Sequence, residues 1–324
     1  MKFTLIHIKT DLDKLTVDDI DDFKKAVNNW SRKDGKDRAN TTKKQYFVGF
    51  KRFLHWYAKR YEYTKYLNLA NQIEIRGMAP RKLPSDLLTT EEVENMIASA
   101  DLVRDKAIIT TLAESGCRVG ELISCRIKDV EFTNNGCKLT FPKGKTGSRT
   151  VPLVAAASYI DHYVRQHPLR DSPEAPLWLT HRQNEHRALA YPTIHGIIRD
   201  IAKQAGIKKR VHPHLFRHTA ATQLAKVWSE PQMKAFLGWE ASSNMPSVYI
   251  HLSGDDVETA VLSDRYGLIE KKKNDTGLEV GKCPKCWKMI SANAIFCYNC
   301  GCPLTEGIKQ SINTTTADFI LDLH

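Results

Sequence analysis

Hydrophobic residues recur at helical spacing along most of the chain, and one segment breaks that rhythm. Between Val130 and Leu153 the pattern becomes two short runs, Cys137-Lys138-Leu139-Thr140-Phe141 and Arg149-Thr150-Val151-Pro152-Leu153, which flank Gly144 and Gly147. A period near 3.6 requires helices and a period of 2 requires strands. The chain is therefore expected to be mainly α, with one β-hairpin or short sheet inside a helical domain. Leu15, Ile20, Phe23, Val27 and Trp30 mark a first amphipathic helix. Tyr46, Phe50, Phe53 and Tyr57 mark a second, for which Asn40-Thr41-Thr42 offers cap residues. Thr89 and Glu92 form a capping box that opens a helix through Ala98. Helical patterning resumes at about 106–115, 155–166, 192–205, 212–227, 230–237 and 254–268.

At roughly 100–200 residues per domain, 324 residues allow two or three domains, and 42% apolar content is enough to give them cores. Extensive disorder is excluded on the same ground. No run of about 18 apolar residues is present to span a membrane. The start, Met1-Lys2-Phe3-Thr4-Leu5-Ile6-His7, lacks the apolar core and cleavage site of a secretory signal, so a cytoplasmic location is expected. Gly77, Pro80 and Pro84, interleaved with Arg76, Arg81 and Lys82, mark a basic linker at 76–88. The charged run Glu270-Lys271-Lys272-Lys273-Asn274-Asp275 marks a second linker. These boundaries predict a helical domain at 1–86, a second domain at 87–269, a cysteine-rich module at 280–305 and a tail at 306–324.

The net charge is +11, and it is unevenly placed. Residues 31–86 hold fourteen basic and five acidic side chains, whereas residues 1–30 hold five and six. Lys43, Lys44, Lys51, Arg52 and Lys59 occupy polar positions of the second helix, and Arg81 and Lys82 follow in the linker. Ordinary solvated faces mix signs. The segment is therefore either a solvated helix face or, as a single-sign face suits better, a surface laid along a phosphate backbone such as that of double-stranded DNA.

The eight cysteines fall into two groups. Cys117, Cys125 and Cys137 are scattered through apolar-patterned sequence and read as small buried hydrophobes. Cys283-Pro284-Lys285-Cys286 and Cys297-Tyr298-Asn299-Cys300 are two knuckles ten residues apart. In a reducing compartment such pairs are metal sites rather than disulfides. Four thiolates suit tetrahedral Zn2+, and the spacing is similar to that of a zinc ribbon. A module this small cannot bury enough surface alone, so the metal is expected to supply its folding energy. Cys302 exceeds the four ligands required.

A further set of residues is individually weak and collectively specific. Arg118 follows a helix-ending Gly116, and Glu121 stands three residues on. Far downstream come His214-Leu215-Phe216-Arg217-His218, then Leu237-Gly238-Trp239, then Tyr249-Ile250-His251. In this order the set resembles the signature of the tyrosine recombinase (phage integrase) family, and the resemblance covers about 15–268. The segment Tyr249–Val257 is most similar to archaeal integrases. The resemblance implies a helical core-binding domain followed by a mixed α+β catalytic domain. It also implies a site-specific DNA recombinase that assembles as a homo-oligomer on DNA, a tetramer in the synapse, with no catalytic metal. Arg118 matches the family's first arginine, and His214 and Arg217 match its His-x-x-Arg pair. Trp239 lies after Leu-Gly where most members have His and some have Trp, and Tyr249, 32 residues after Arg217, matches the nucleophile. Tyr266 is a rival that lacks the flanking Tyr-x-His pattern. The family's lysine lies on the hairpin. Lys145, in a Lys-Thr-Gly turn, resembles the phage-integrase form, while Lys143 before Gly144 resembles the Xer-type form, and Lys145 is preferred.

The chemistry explains these residue types. Cleaving a phosphodiester spreads charge over its nonbridging oxygens, which two forked guanidiniums can clamp. A tyrosine hydroxyl needs a base or electrostatic help at neutral pH, and His214 is the candidate base. The leaving 5′-oxygen needs a proton, which a mobile lysine can give. Trp239 can donate its indole N–H but cannot shuttle protons. A regulator on a lapsed recombinase fold and a type IB topoisomerase are the alternatives these residues leave open. In the family the helix after the tyrosine docks on a neighbouring protomer, and the pattern at 254–268 is equally compatible with packing within one chain.

Overall fold

The structure is a computed structural model that describes residues 11–31, 35, 37–75, 86–144, 147–180, 186–253, 278–292 and 294–304. Arg81, Lys82, Lys145, Tyr266, the segment 76–85, the helix expected at 254–268, the charged run at 270–275 and the tail lie outside those residues. The chain divides into two compact units, Met1–Arg81 and Lys82–His324.

In the first unit, Thr16 and Asp19 form a capping box that starts α1 (Val17–Asn28). Ile20, Phe23 and Val27 recur on one face of α1 and are buried, as the helical period demands. They meet Phe50, Leu54 and Ala58 of α2 (Asn40–Tyr61), with Tyr66 and Leu69 of α3 (Lys65–Asn71) closing the core. Phe23 and Phe50 pack with their rings 4.7 Å apart. Asn40 is the first residue of α2 rather than its cap. Ala39 holds the cap position and makes no side-chain bond there.

The second unit starts with the capping box that the sequence announces. Thr89 accepts from the Glu92 backbone N–H, and Glu92 accepts from that of Thr89, opening α4 (Thr90–Ser99). Then comes α5 (Val103–Ser115), the centre of the unit, with nine of its thirteen residues buried. It ends at Gly116 in the left-handed region at φ 55°, and α6 (Val119–Ser124) follows three residues later. The anticipated β-segment is a three-stranded antiparallel sheet, β1 (Val130–Thr133), β2 (Gly136–Gly144) and β3 (Gly147–Leu153), in that order. Leu139 pairs with Val130 on one side and Val151 on the other. Cys137, Leu139, Phe141, Val151 and Leu153 are all buried, the strict alternation of a half-covered sheet.

Four helices complete this part: α7 (Ala155–Arg165), α8 (Tyr191–Gln204), α9 (Pro213–Leu224) and α10 (Glu230–Leu237). A fifth, α11 (Met245–Ser253), carries Tyr249 and was not anticipated from the sequence, whose apolar spacing there is too short to show a period. Cys117, Cys125 and Cys137 are buried hydrophobes, and burial pushes the Cys117 and Cys137 thiols up to about 12.

The cysteine-rich module belongs to this second unit. Its hairpin, β4 (Val280–Lys282) and β5 (Met289–Ser291), packs against α7. Ser291 hydrogen-bonds Tyr159, and the Lys288 ammonium donates to the Thr133 carbonyl (2.9 Å) and to Asn134 Oδ1 (3.2 Å) at the β1–β2 turn. Among the described residues, no helix is long and apolar enough to cross a membrane.

Candidate active site and metal centre

The site is organised by a buried acid and by the carbonyl end of one helix. Glu121, 2% exposed, sits in the first turn of α6 and accepts from the Arg118 backbone N–H at 2.9 Å. Its other oxygen, Oε1, takes the Arg118 guanidinium at 2.7 Å, while the Arg149 fork from β3 reaches Oε2, the oxygen that also takes the Arg118 N–H, at 3.0 and 3.1 Å. A buried carboxylate persists as an ion only when it is paired and fully bonded, and here two cations share it.

The same arginines, joined by Arg217, converge on the C-terminus of α10. Arg149 Nε donates to the Phe236 carbonyl (2.9 Å), Arg217 to the Leu237 carbonyl (2.6 Å), and Arg118 to the Gly238 carbonyl (3.2 Å). Carbonyls at a helix end lack intrahelical partners and carry the negative end of the helix dipole, so they fix cations well. Arg217 also donates to the Gly116 carbonyl at the end of α5 (2.8 Å). Both glycines are required in place. Each has positive φ, and a Cβ on Gly116 would approach Ala220 and Leu237 to 3.0 Å, one on Gly238 the Arg149 side chain to 3.0 Å. Burial, reinforced by the neighbouring Arg118, pushes the Arg217 guanidinium down to about 10, so it stays charged at neutral pH. A guanidinium has five N–H donors, more than these carbonyls take, so Arg118 and Arg217 retain capacity for an oxyanion.

Tyr249 is 3% exposed and rests on this cluster. Its ring stacks on Trp239, with centroids 5.6 Å apart and planes 15° apart, and the Arg217 guanidinium lies 5.5 Å from the centre of the Trp239 ring. The Tyr249 oxygen is 2.7 Å from His218 Nδ1. Burial raises the phenol above its ordinary value, while Arg217 pulls it down.

Of the residues that the sequence singles out, Arg118, Arg217, Trp239 and Tyr249 are brought together. Trp239 supplies a stacking platform for the Tyr249 ring. His214 lies exposed on the first turn of α9. The ring in contact with the Tyr249 hydroxyl belongs to His218, one turn further on, where the sequence pointed to His214. Sequence reasoning passed over His218 and Arg149. His218 stands beside Arg217 in the same motif, and Arg149 was taken only as a strand residue. Their partners lie 31 and 28 residues away, and only tertiary structure pairs them. Lys143 falls within β2, and nothing is described of its side chain.

On α2 the basic face is narrower than the sequence suggests. Lys43 is buried and donates to the Asn28 carbonyl at 2.5 Å, tying α2 to α1, and Lys51 donates to the Ile73 carbonyl at 3.2 Å. Lys44 is half-buried, whereas Arg52 and Lys59 are exposed.

The four cysteines of the knuckles converge, with all four Sγ atoms within 4.8 Å of one another and the closest pairs at 3.5 and 3.6 Å. A metal with tetrahedral thiolate bonds of about 2.3 Å places its sulfurs about 3.8 Å apart, so the donor set fits such an ion. The Lys288 backbone N–H holds the Cys286 thiol down at about 6, whereas burial pushes the Cys297 thiol up to about 12. Cys302 stands outside the four and serves through its carbonyl, which accepts from the Cys297 N–H (2.8 Å).

A helical unit is thus followed in the chain by an α+β unit in which Arg118, Arg217, Trp239 and Tyr249 share one cluster. The chain belongs to the phage integrase family, whose pattern it matches over residues 86–255, just over half its length. A tyrosine recombinase of Pseudothermotoga lettingae is 31% identical over 173 residues, 53% of this chain and 58% of that protein. Tyrosine recombinase XerA of Pyrococcus furiosus is 31% identical over 195 residues, 59% of this chain and 65% of that protein. The matched stretch thus spans less than two thirds of either relative. In fold, the chain is similar to a lambda integrase dimer bound to a COC' core site, with TM-score 0.57 and 16% identity over 78% of this chain and 70% of that one.

Proposed function

We propose that the chain is a site-specific DNA recombinase that breaks and rejoins duplex DNA through a covalent bond to Tyr249. The observation that carries this reading is the placement of the Tyr249 phenol beside Trp239 and Arg217, within one cluster that also holds Arg118. Arg118 and Arg217 take the nonbridging oxygens of the scissile phosphate, and His214, on the open side of α9, contacts the same phosphate. The Tyr249 oxygen attacks phosphorus and the bond to the 5′-oxygen breaks. Lys145, with Lys143 as the alternative, gives that oxygen its proton. The product is a 3′-phosphotyrosyl link and a free 5′-hydroxyl, and the reverse step on another strand completes the exchange. Arg52 and Lys59 extend the DNA contact on the helical domain, continued by Arg81 and Lys82. Strand exchange requires a homo-oligomer on DNA, and the metal of the cysteine module is a structural Zn2+ in this reading.

The test uses a nicked duplex selected for binding from a random-sequence pool, with the covalent adduct read on a denaturing gel. Wild type forms the adduct and Tyr249→Phe forms none. An adduct that persists in Tyr249→Phe removes Tyr249 as nucleophile. Relaxation of supercoiled DNA without product exchange between two duplexes would favour a topoisomerase instead. With a 5′-thiol leaving group, which needs no protonation, the lysine variant that regains activity identifies the acid.

A further inference from the structure

The geometry points to His218, and not His214, as the group that takes the proton from Tyr249. This rests on Tyr249 being the nucleophile. The phenol is buried, and burial disfavours its anion, so attack on phosphorus requires a nearby acceptor. His218 Nδ1 lies 2.7 Å from the Tyr249 oxygen, within the reach that a general base needs. In the tautomer with its hydrogen on Nε2, His218 Nδ1 accepts directly from the Tyr249 O–H. His218 is half-buried on the second turn of α9, directly after Arg217, while His214 is exposed on the first turn.

The two histidines thus divide the work by depth. His214 is exposed, and the half-buried His218 meets the nucleophile. Trp239 stacks against the phenol and holds its oxygen toward His218, and Arg217 is the charged group that favours the phenolate as it forms. In the cleavage step the Tyr249 proton passes to His218 Nδ1 and the Tyr249 oxygen bonds phosphorus. The phosphorus–O5′ bond breaks, and O5′ takes one proton from the lysine acid. On rejoining, the attacking 5′-hydroxyl gives its proton back to the lysine as its oxygen bonds phosphorus. The phosphorus–Tyr249 bond breaks and His218 returns its proton to the Tyr249 oxygen, so the enzyme ends as it began.

The adduct assay on the selected nicked duplex tests this assignment. His218→Ala should slow adduct formation by about 10²-fold or more, the usual range for loss of a general base. Added imidazole should restore much of the rate in His218→Ala. His218→Gln, which keeps a polar side chain but cannot carry the proton, should be slow with or without imidazole. DNA binding by both variants, measured by mobility shift, should match wild type, which separates proton transfer from a folding defect. A wild-type rate in His218→Ala, or a loss that imidazole does not restore, overturns the assignment. If wild type itself forms no adduct, the recombinase reading fails.

Discussion

The arginine cluster and the cysteine cluster each bring four side chains together, and they are built in opposite ways. Cys283, Cys286, Cys297 and Cys300 lie within eighteen residues, and two knuckles of nearly identical spacing bring the sulfurs together. Arg118, Glu121, Arg149 and Arg217 come from α6, β3 and α9 and meet only because α10 ends among them. The local cluster has almost no hydrophobic core beneath it, with Ile290 its one fully apolar buried side chain. The distributed cluster stands on the large core centred on α5. A site assembled by short-range spacing over so small a core would take its stability from a bound metal, whereas a site assembled by packing takes it from its neighbours.

Metal removal should separate the two most sharply. Structural zinc contributes about 10–16 kcal/mol of apparent binding energy in small modules, so a chelator should unfold the knuckles and leave the α5-centred core intact. Differential alkylation checks this. After chelation Cys283, Cys286, Cys297 and Cys300 should react near neutral pH. Cys117 and Cys137 should stay protected, because they are buried and their thiols, held at about 12, are protonated. Labelling of Cys117 or Cys137 together with the knuckles would show that the module and the core unfold as one.

Removing the counter-charge of the distributed cluster comes next. Glu121→Ala leaves two guanidiniums facing each other in a largely buried site, a loss of about 3–5 kcal/mol, to be read as a lower midpoint in urea unfolding. The cysteine module should keep its metal in this variant, measured by bound-metal stoichiometry, and loss of metal would contradict the independence of the two sites. Smaller still is Gly116→Ala. Positive φ and two contacts at 3.0 Å should cost about 1–3 kcal/mol in thermal unfolding, whereas Gly120→Ala, with open space around it in α6, should be neutral or slightly stabilising. An unchanged Gly116→Ala would mean that the turn before Arg118 is not under steric control.

The sequence by itself determined the elements that depend on short-range periodicity and spacing. The helical faces of α1 and α2, the capping box at Thr89, the β-segment between Val130 and Leu153, the buried Cys117, Cys125 and Cys137, and the four-cysteine cluster were all legible there. It also supplied Arg118, Arg217, Trp239 and Tyr249, because their order along the chain resembles a known signature. What it could not supply was pairing across distance. The burial of Lys43, the bond from Arg149 to Glu121, the stacking of Trp239 on Tyr249 and the contact between His218 and Tyr249 were decided only by tertiary structure. The reason is physical. Periodicity encodes which face of an element is buried, whereas a hydrogen bond between residues 31 apart depends on how three helices pack.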